Sequence, residues 1–191
     1  DVMPDCAPVI VGKIKAGEDI PTRPPSKRQW RVKSEFTATE LKERRQTRIN
    51  KASGQNVRTF VAGEWTLEYD LAHSGLTQEV WQAAVLALAD ENIQVGKVTK
   101  EDAIGAREAE FLALAALELE AKASHVYALF ETEGASKAIG AQYLSELLEH
   151  AVESGGMGVD ELRSKLPSYV LDAIAYVTAP IPVTAAPEEQ G

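Results

Sequence analysis

The apolar residues between positions 100 and 131 recur at alternating steps of four and three, which is the spacing of one stripe on an α-helix. The stripe consists of Leu112, Ala116, Leu119, Ala123, Val126 and Phe130. Thr99 is suited to the N-cap of such a helix, and Gly134 to its end. Gly105 weakens the first turns, because glycine inside a helix costs about 1 kcal/mol relative to alanine. The pattern predicts one long helix against which the rest of the chain packs.

The remainder of the chain beyond residue 70 also has the period of helices. Thr77 is expected to cap a helix that runs to about residue 90, and Ser136 one that ends at Gly155 and Gly156. Residues 160–165 and 167–177 form two further helices, and prolines then keep the tail extended. The short connection at 133–135 favours folding the Ser136 helix back along the long helix as an antiparallel pair. The alternative partner of the long helix is the same helix of another copy.

The N-terminal side contains the β pattern. Residues 29–36 alternate between apolar and polar side chains, as do residues 57–61 and 65–69 on either side of Ala62 and Gly63. This pattern predicts a strand and a β-hairpin, which together form a small antiparallel sheet. Between them, Thr37 and Glu40 have the spacing of a capping box before a strongly polar helix over residues 38–51.

These elements indicate an α+β fold that is predominantly α. A small antiparallel β-hairpin or meander and a basic helix form its N-terminal side, and an α-helical body surrounds one long helix. The expected divisions are an extended N-terminal arm (1–28), a small β/helix subdomain (29–70), the helical body (71–177) and a Pro-rich C-terminal tail (178–191). The length of 191 residues, 45% of them apolar, suits one domain with a real core.

Charge is distributed unevenly along the chain. Residues 1–60 contain 13 Lys and Arg against 7 Asp and Glu, whereas residues 61–191 contain 7 against 22. A basic N-terminal region on an acidic body suggests contact with an acidic partner. Complementarity within the chain or between subunits explains the same split without nucleic acid.

Candidate catalytic and metal sites are sparse. The single Cys6 excludes an internal disulfide, and none of the common phosphate-loop, dinucleotide, zinc-protease or serine-hydrolase motifs occurs. Glu146 and His150 share a helix face, but such a pair arises by chance on Glu-rich helices. We therefore predict no catalytic, cofactor or metal site, and no enzyme activity. No apolar run has the length of a membrane span or the form of a signal peptide, so the inside of a cell, virion or organelle fits better than secretion.

The leading hypothesis is a non-catalytic structural or interaction subunit of a larger assembly, such as a virion component of a tailed phage or an accessory subunit of an organellar complex. Its expected partners are other protein subunits, copies of itself included. The first alternative is a nucleic-acid-binding protein that uses the basic region, and the second is an enzyme with an unrecognised site. The candidate interaction residues are Arg23, Lys27, Arg28, Trp30, Arg31, Lys42, Arg44, Arg45 and Arg48.

Overall fold

The computed structural model describes residues 2–20, 28–54 and 57–180. It confirms a predominantly α-helical fold, with ten α-helices and a sheet of two short strands in that part of the chain. The strands are β1 (Val2–Met3) and β2 (Arg31–Val32). The helices are α1 (Ala7–Ile10), α2 (Ala38–Ala52), α3 (Leu67–Leu71), α4 (Thr77–Gln94), α5 (Lys100–Gly105), α6 (Glu108–Ala113), α7 (Leu119–Glu131), α8 (Lys137–Glu153), α9 (Val159–Lys165) and α10 (Ser168–Thr178).

Helix α4 lies at the centre of the core and is buried on more than one side. Seven of its residues are buried: Val80, Trp81, Ala83, Ala84, Val85, Leu86 and Ala87. Val80 and Val85 belong to one apolar cluster with Val126 and Phe130 of α7. Leu86 belongs to another with Tyr143 of α8. A helix that is apolar around most of its circumference is one that packs inside the domain, so α4 is the element around which the body is organised.

The prediction of one long helix over residues 100–131 is wrong. The chain forms α5, ends it at Gly105, and then forms α6, a 3₁₀ turn at Leu114–Ala116 and α7. Leu117 and Glu118 have extended backbone conformations, which separate the 3₁₀ turn from α7. These breaks allow α5 and α7 to pack separately against α4, which one straight helix would not do.

The predicted apolar stripe is divided by the same breaks. Ala123, Val126 and Phe130 are buried, but Leu112 is 62% exposed and Leu119 is 46% exposed. Helix α8 packs along α4 rather than folding back along a long helix. It meets the end of α7 at Gly140, where an added Cβ would lie 2.9 Å from Cε1 of the Phe130 ring. Glycine therefore permits the close approach of the two helices at this point.

The predicted antiparallel hairpin is also wrong. None of residues 57–66 belongs to a strand, and residues 67–71 form α3, for which the Thr66 side chain accepts a hydrogen bond from the amide of Tyr69. The sheet that does form is parallel and pairs Val2 with Arg31 and Met3 with Val32. The predicted strand over 29–36 is thus reduced to two residues and followed by a 3₁₀ turn.

The N-terminal residues that the structure describes contribute to the core instead of forming a free arm. Met3, Ala7 and Val11 are buried, and α1 packs against α7. The Lys13 ammonium forms a 2.8 Å ion pair with Glu131 at the end of α7. The extended conformation predicted for residues 21–27 and 181–191 lies outside the described residues.

Leu119→Asp provides a test of this corrected packing. The original stripe would place Leu119 in a buried seam, where an aspartate costs several kcal/mol. In the structure Leu119 is the exposed first residue of α7, where a carboxylate interacts favourably with the helix dipole. We expect the free energy of unfolding to fall by less than about 1 kcal/mol in urea denaturation. A loss of several kcal/mol would show that Leu119 is buried in the core.

Candidate interaction surface on a basic helix

Helix α2 confirms the prediction from its capping signals and stands out because it has almost no contact with the core. Thr37 and Glu40 form the predicted capping box, in which the Glu40 amide donates to Thr37 Oγ1 at 3.2 Å and the Thr37 amide to Glu40 Oε2 at 2.7 Å. None of its fifteen residues is buried, and only Leu41 and Ile49 are half-buried. The helix therefore contributes little apolar surface to the core.

The exposed side chains of α2 are mainly cationic. The helix has five basic residues and two acidic ones: Lys42, Arg44, Arg45, Arg48 and Lys51, with Glu40 and Glu43. The Glu40 carboxylate is engaged by Thr37, whose hydrogen bonds lower its pKa. Arginine binds carboxylates and phosphates through paired N–H groups, so this exposed surface is suited to an anionic partner.

A groove separates α2 from the segment 61–65. The Arg45 guanidinium donates to the Val61 carbonyl oxygen at 3.3 Å, which joins the two sides. The groove has a volume of about 260 Å³. Its charged lining consists of Lys33, Lys42, Arg44, Arg45 and Arg48, with Glu64 as the acidic member. Because Lys33 is paired with Glu64, the excess positive charge comes from α2.

The buried Asp70 holds the segment on the far side of this groove. Its side chain accepts backbone hydrogen bonds from Gly63 at 2.7 Å, Glu64 at 3.1 Å and Trp65 at 2.9 Å. Burial raises the pKa of Asp70, while the amides of Trp65 and Gly63 act in the opposite direction. One carboxyl thus satisfies three consecutive backbone donors, which explains why this segment needs no partner strand. Sequence reasoning missed Asp70 because it lies five residues beyond the loop that it organises.

Arg44 and Arg48 also line a second groove on the outer side of α2. This groove has a volume of about 490 Å³ and includes Arg31, Phe36 and Lys51. The Phe36 ring lies 3.8 Å from the guanidinium carbon of Arg31 and 5.0 Å from that of Arg44. The arginines therefore occupy the ring in cation–π contacts. Neither Phe36 nor Lys51 was among the predicted interaction residues, although Phe36 closely precedes the predicted helix and Lys51 is its last residue.

The structure divides the predicted interaction residues into two groups. Arg44, Arg45 and Arg48, with Lys42, line the grooves around α2. Arg28 instead has a side chain that is only 3% exposed, forms an ion pair with Glu35 and lies 4.8 Å from the Trp30 ring centre. Trp30 itself packs against the core. Arg23 and Lys27 lie outside the described residues.

Glu35, the ion-pair partner of Arg28, also holds Arg31. The Arg31 guanidinium donates to the Glu35 backbone carbonyl, and the Glu35 carboxylate pairs with Arg28 and accepts from the Val32 amide at 2.9 Å. The pKa of Glu35 is lowered even though desolvation by burial acts to raise it, because Arg28 and the Val32 amide stabilise the carboxylate. These contacts hold β2 against the 3₁₀ turn at residues 33–35, which precedes α2.

In the described part of the chain, the other residues that could bind a metal ion or act as a nucleophile do not form a cluster. Within residues 2–20, 28–54 and 57–180, no group of three or more His, Cys, Asp or Glu is arranged to hold a metal ion. Glu146 is paired with Lys100 at 2.5 Å, and His150 next to it is exposed. Cys6 Sγ lies 3.5 Å from Ser124 Oγ, and burial raises the pKa of the thiol, which disfavours the nucleophilic thiolate.

No family model, curated protein or solved structure matches the chain. None of the helices in the described part of the chain combines the length and apolar composition that crossing a bilayer requires.

Proposed function

We propose that this chain is a non-catalytic interaction subunit of a multi-subunit assembly, and that it docks on an acidic protein surface through α2. The observation that carries the proposal is a fifteen-residue helix with five basic side chains and no buried residue. Such a helix contributes little to the stability of its own domain, because most helical stability in proteins comes from packing an apolar face. A surface of this kind is suited to binding a partner of opposite charge.

The aromatic residues near α2 favour a protein partner over single-stranded nucleic acid. Binding of unpaired bases relies on exposed rings on which successive bases stack. Here Arg31 and Arg44 cover Phe36, and Trp30 packs against the core below Arg28. Arg44 is exposed and remains available for a carboxylate, which arginine binds through paired N–H groups.

The proposal is tested by reversing charge on α2 in the full chain. Arg44→Glu/Arg48→Glu is compared with Lys15→Glu/Lys97→Glu, a control that changes the net charge equally at two exposed lysines away from α2. Each form is purified by a tag from its native source, and the proteins that accompany it are quantified by mass spectrometry. We expect the wild type and the control to retain the same partner subunits and the α2 variant to lose them. Equal retention by all three would contradict the proposal.

Nucleic acid is the second candidate partner, and the groove between α2 and residues 61–65 is the observation that favours it. Its cationic lining suits phosphate contacts without base readout, so the affinity would fall steeply with rising salt. The same purified samples distinguish this case. Bound nucleic acid that is lost on Arg44→Glu/Arg48→Glu, with no protein partner lost, would favour the second candidate.

A virion component of a tailed phage and an accessory subunit of an organellar complex are both compatible with an acidic body and a basic docking helix. The protein partners recovered in the experiment above would identify which of the two settings applies.

A further inference from the structure

One face of α2 has a regular stripe of positive charge. Arg44, Arg48 and Lys51 are all exposed and are separated by steps of four and three residues. At 3.6 residues per turn these steps keep the three side chains on one face. The half-buried Leu41 lies three residues before Arg44 and seven before Arg48, so it shares their face, and Ile49 lies on the adjacent side. The three cationic side chains are nevertheless exposed to solvent.

Helix α8 has an equally regular stripe of negative charge. Glu146, Glu149 and Glu153 are exposed and are separated by steps of three and four residues. Glu146 shares an ion pair with Lys100 at 2.5 Å. Within the described part of the chain, Glu149 and Glu153 make no side-chain hydrogen bond or ion pair. The inner side of α8, which includes the buried Tyr143, packs on α4 and leaves the acidic stripe uncovered.

The two stripes match when the helices run antiparallel. In that orientation Arg44 meets Glu153, Arg48 meets Glu149 and Lys51 meets Glu146. The spacing agrees at both steps, about 6 Å for four residues and about 4.5 Å for three at 1.5 Å per residue. Both stripes are exposed within one molecule, so α2 does not meet α8 of its own chain. A second copy provides the complementary helix.

We propose that the acidic partner of α2 is helix α8 of a second copy of this chain. The inference rests on the proposed function, because it takes the docking role of α2 as given and identifies the surface on which it docks. The contact joins two different surfaces, so a copy that pairs through its α2 alone keeps its α8 free for a further neighbour. Repeated head to tail, the contact gives a ring or an open filament, and a reciprocal pair in which each α2 meets the other copy's α8 gives a closed two-fold dimer.

Charge reversal on both helices tests the pairing directly. Variant A is Arg44→Glu/Arg48→Glu, and variant B is Glu149→Lys/Glu153→Lys, which replaces the two predicted partners. Within a pure sample of A both stripes are acidic, and within B both are basic. In a mixture, the α2 of each variant meets an α8 of opposite charge on the other. Circular dichroism of each variant establishes that the helices are retained.

Sedimentation velocity of the full chain over a wide concentration range gives the readout. Exposed ion pairs are individually weak, so we expect association of the wild type to be concentration-dependent and to weaken about tenfold or more between low and moderate salt. A and B alone should be monomeric at concentrations where the wild type associates. Their equimolar mixture should associate as the wild type does. The control Lys15→Glu/Lys97→Glu should also behave as the wild type.

Two results would overturn the inference. One is a wild type that is monomeric at every concentration, and the other is an A–B mixture that stays monomeric while the wild type associates. If the inference fails in this way and variant A still loses protein partners from the native assembly, the docking role of α2 stands with a different acidic partner. If variant A loses no protein partner, self-association included, the proposed function fails as well.

Discussion

Leu86→Ala is expected to lower the free energy of unfolding by about 2–5 kcal/mol, the usual cost of removing three buried carbons and leaving a cavity. Leu86 is 1% exposed and lies on the side of α4 that faces Ala103 of α5 and Tyr143 of α8. Tyr143 has little freedom to fill the space, because its hydroxyl donates to Asp90 at 2.7 Å. Urea denaturation followed by circular dichroism measures the change as a shift of the midpoint.

The matched control for this variant is Leu112→Ala. Both leucines lie in helices, but Leu112 is 62% exposed on α6. We expect its substitution to cost less than about 1 kcal/mol, since little apolar surface returns to water. A loss at Leu112 as large as that at Leu86 would show that α6, and not α4, is central to the core.

Asp70→Ala is expected to lower the free energy of unfolding by about 2–4 kcal/mol, because it removes the acceptor of three backbone amides. Asp70 is 3% exposed, and the amides of Gly63, Glu64 and Trp65 all point at its carboxyl oxygens. Asp70→Asn keeps one carbonyl oxygen and should cost less than the alanine variant. Hydrogen exchange should accelerate at residues 63–65 in both variants.

Asp172→Ala is the control for the loss of a carboxylate. Asp172 is an exposed residue of α10, and alanine is the better helix former at an interior position. We expect the free energy of unfolding to change by no more than about 0.5 kcal/mol. If Asp70→Ala were equally mild, the loop over 63–65 would be held by contacts other than the buried carboxyl.

The Asp70 variant also links the fold to the docking surface. Segment 61–65 forms the wall of the groove opposite α2, and Arg45 reaches that wall at the Val61 carbonyl. Releasing the loop should therefore disturb the 61–65 wall of the groove while leaving α2 itself, with Arg44, Arg48 and Lys51, intact. The prediction is that Asp70→Asn retains self-association in sedimentation, since the proposed contact with α8 uses side chains of α2 and none of segment 61–65.

The helices α2 and α8 were predictable because their signals are local. The capping box of Thr37 and Glu40 marks the start of α2, and Ser136 accepts from the Ile139 amide at the start of α8, as its position before the helical period predicts. The charges on both helices follow from the same few residues. Local capping and periodicity act over one or two turns, so they operate in the same way whatever the rest of the chain does.

Two errors show where local signals fail. Residues 57–61 and 65–69 alternate as strands do, yet Asp70 satisfies the backbone of the intervening loop and Tyr69 is buried within a helix. Residues 100–131 have a helical period throughout, yet the chain breaks at Gly105 and at Leu117 and Glu118 so that α5 and α7 both reach α4. In the first case, hydrogen bonds to the nearby Asp70 and the packing of α3 against α7 outweighed the strand preference. In the second, the contacts of α5 and α7 with α4 outweighed the preference for one continuous helix. Such preferences are worth about 1 kcal/mol per residue or less.

The sequence by itself determined the mainly helical class, the basic helix α2 with its cap, and the acidic character of the body, because these depend on composition and on neighbours within a few residues. Only the tertiary structure decided that α4 is the centre and that Met3 and Ala7 belong to the core. It also decided that Arg28 is buried while Arg44 and Arg48 are presented to solvent. Whether a residue is buried depends on contacts between elements that are far apart in the sequence. A short stretch of sequence does not contain these contacts, so it cannot determine their free energy.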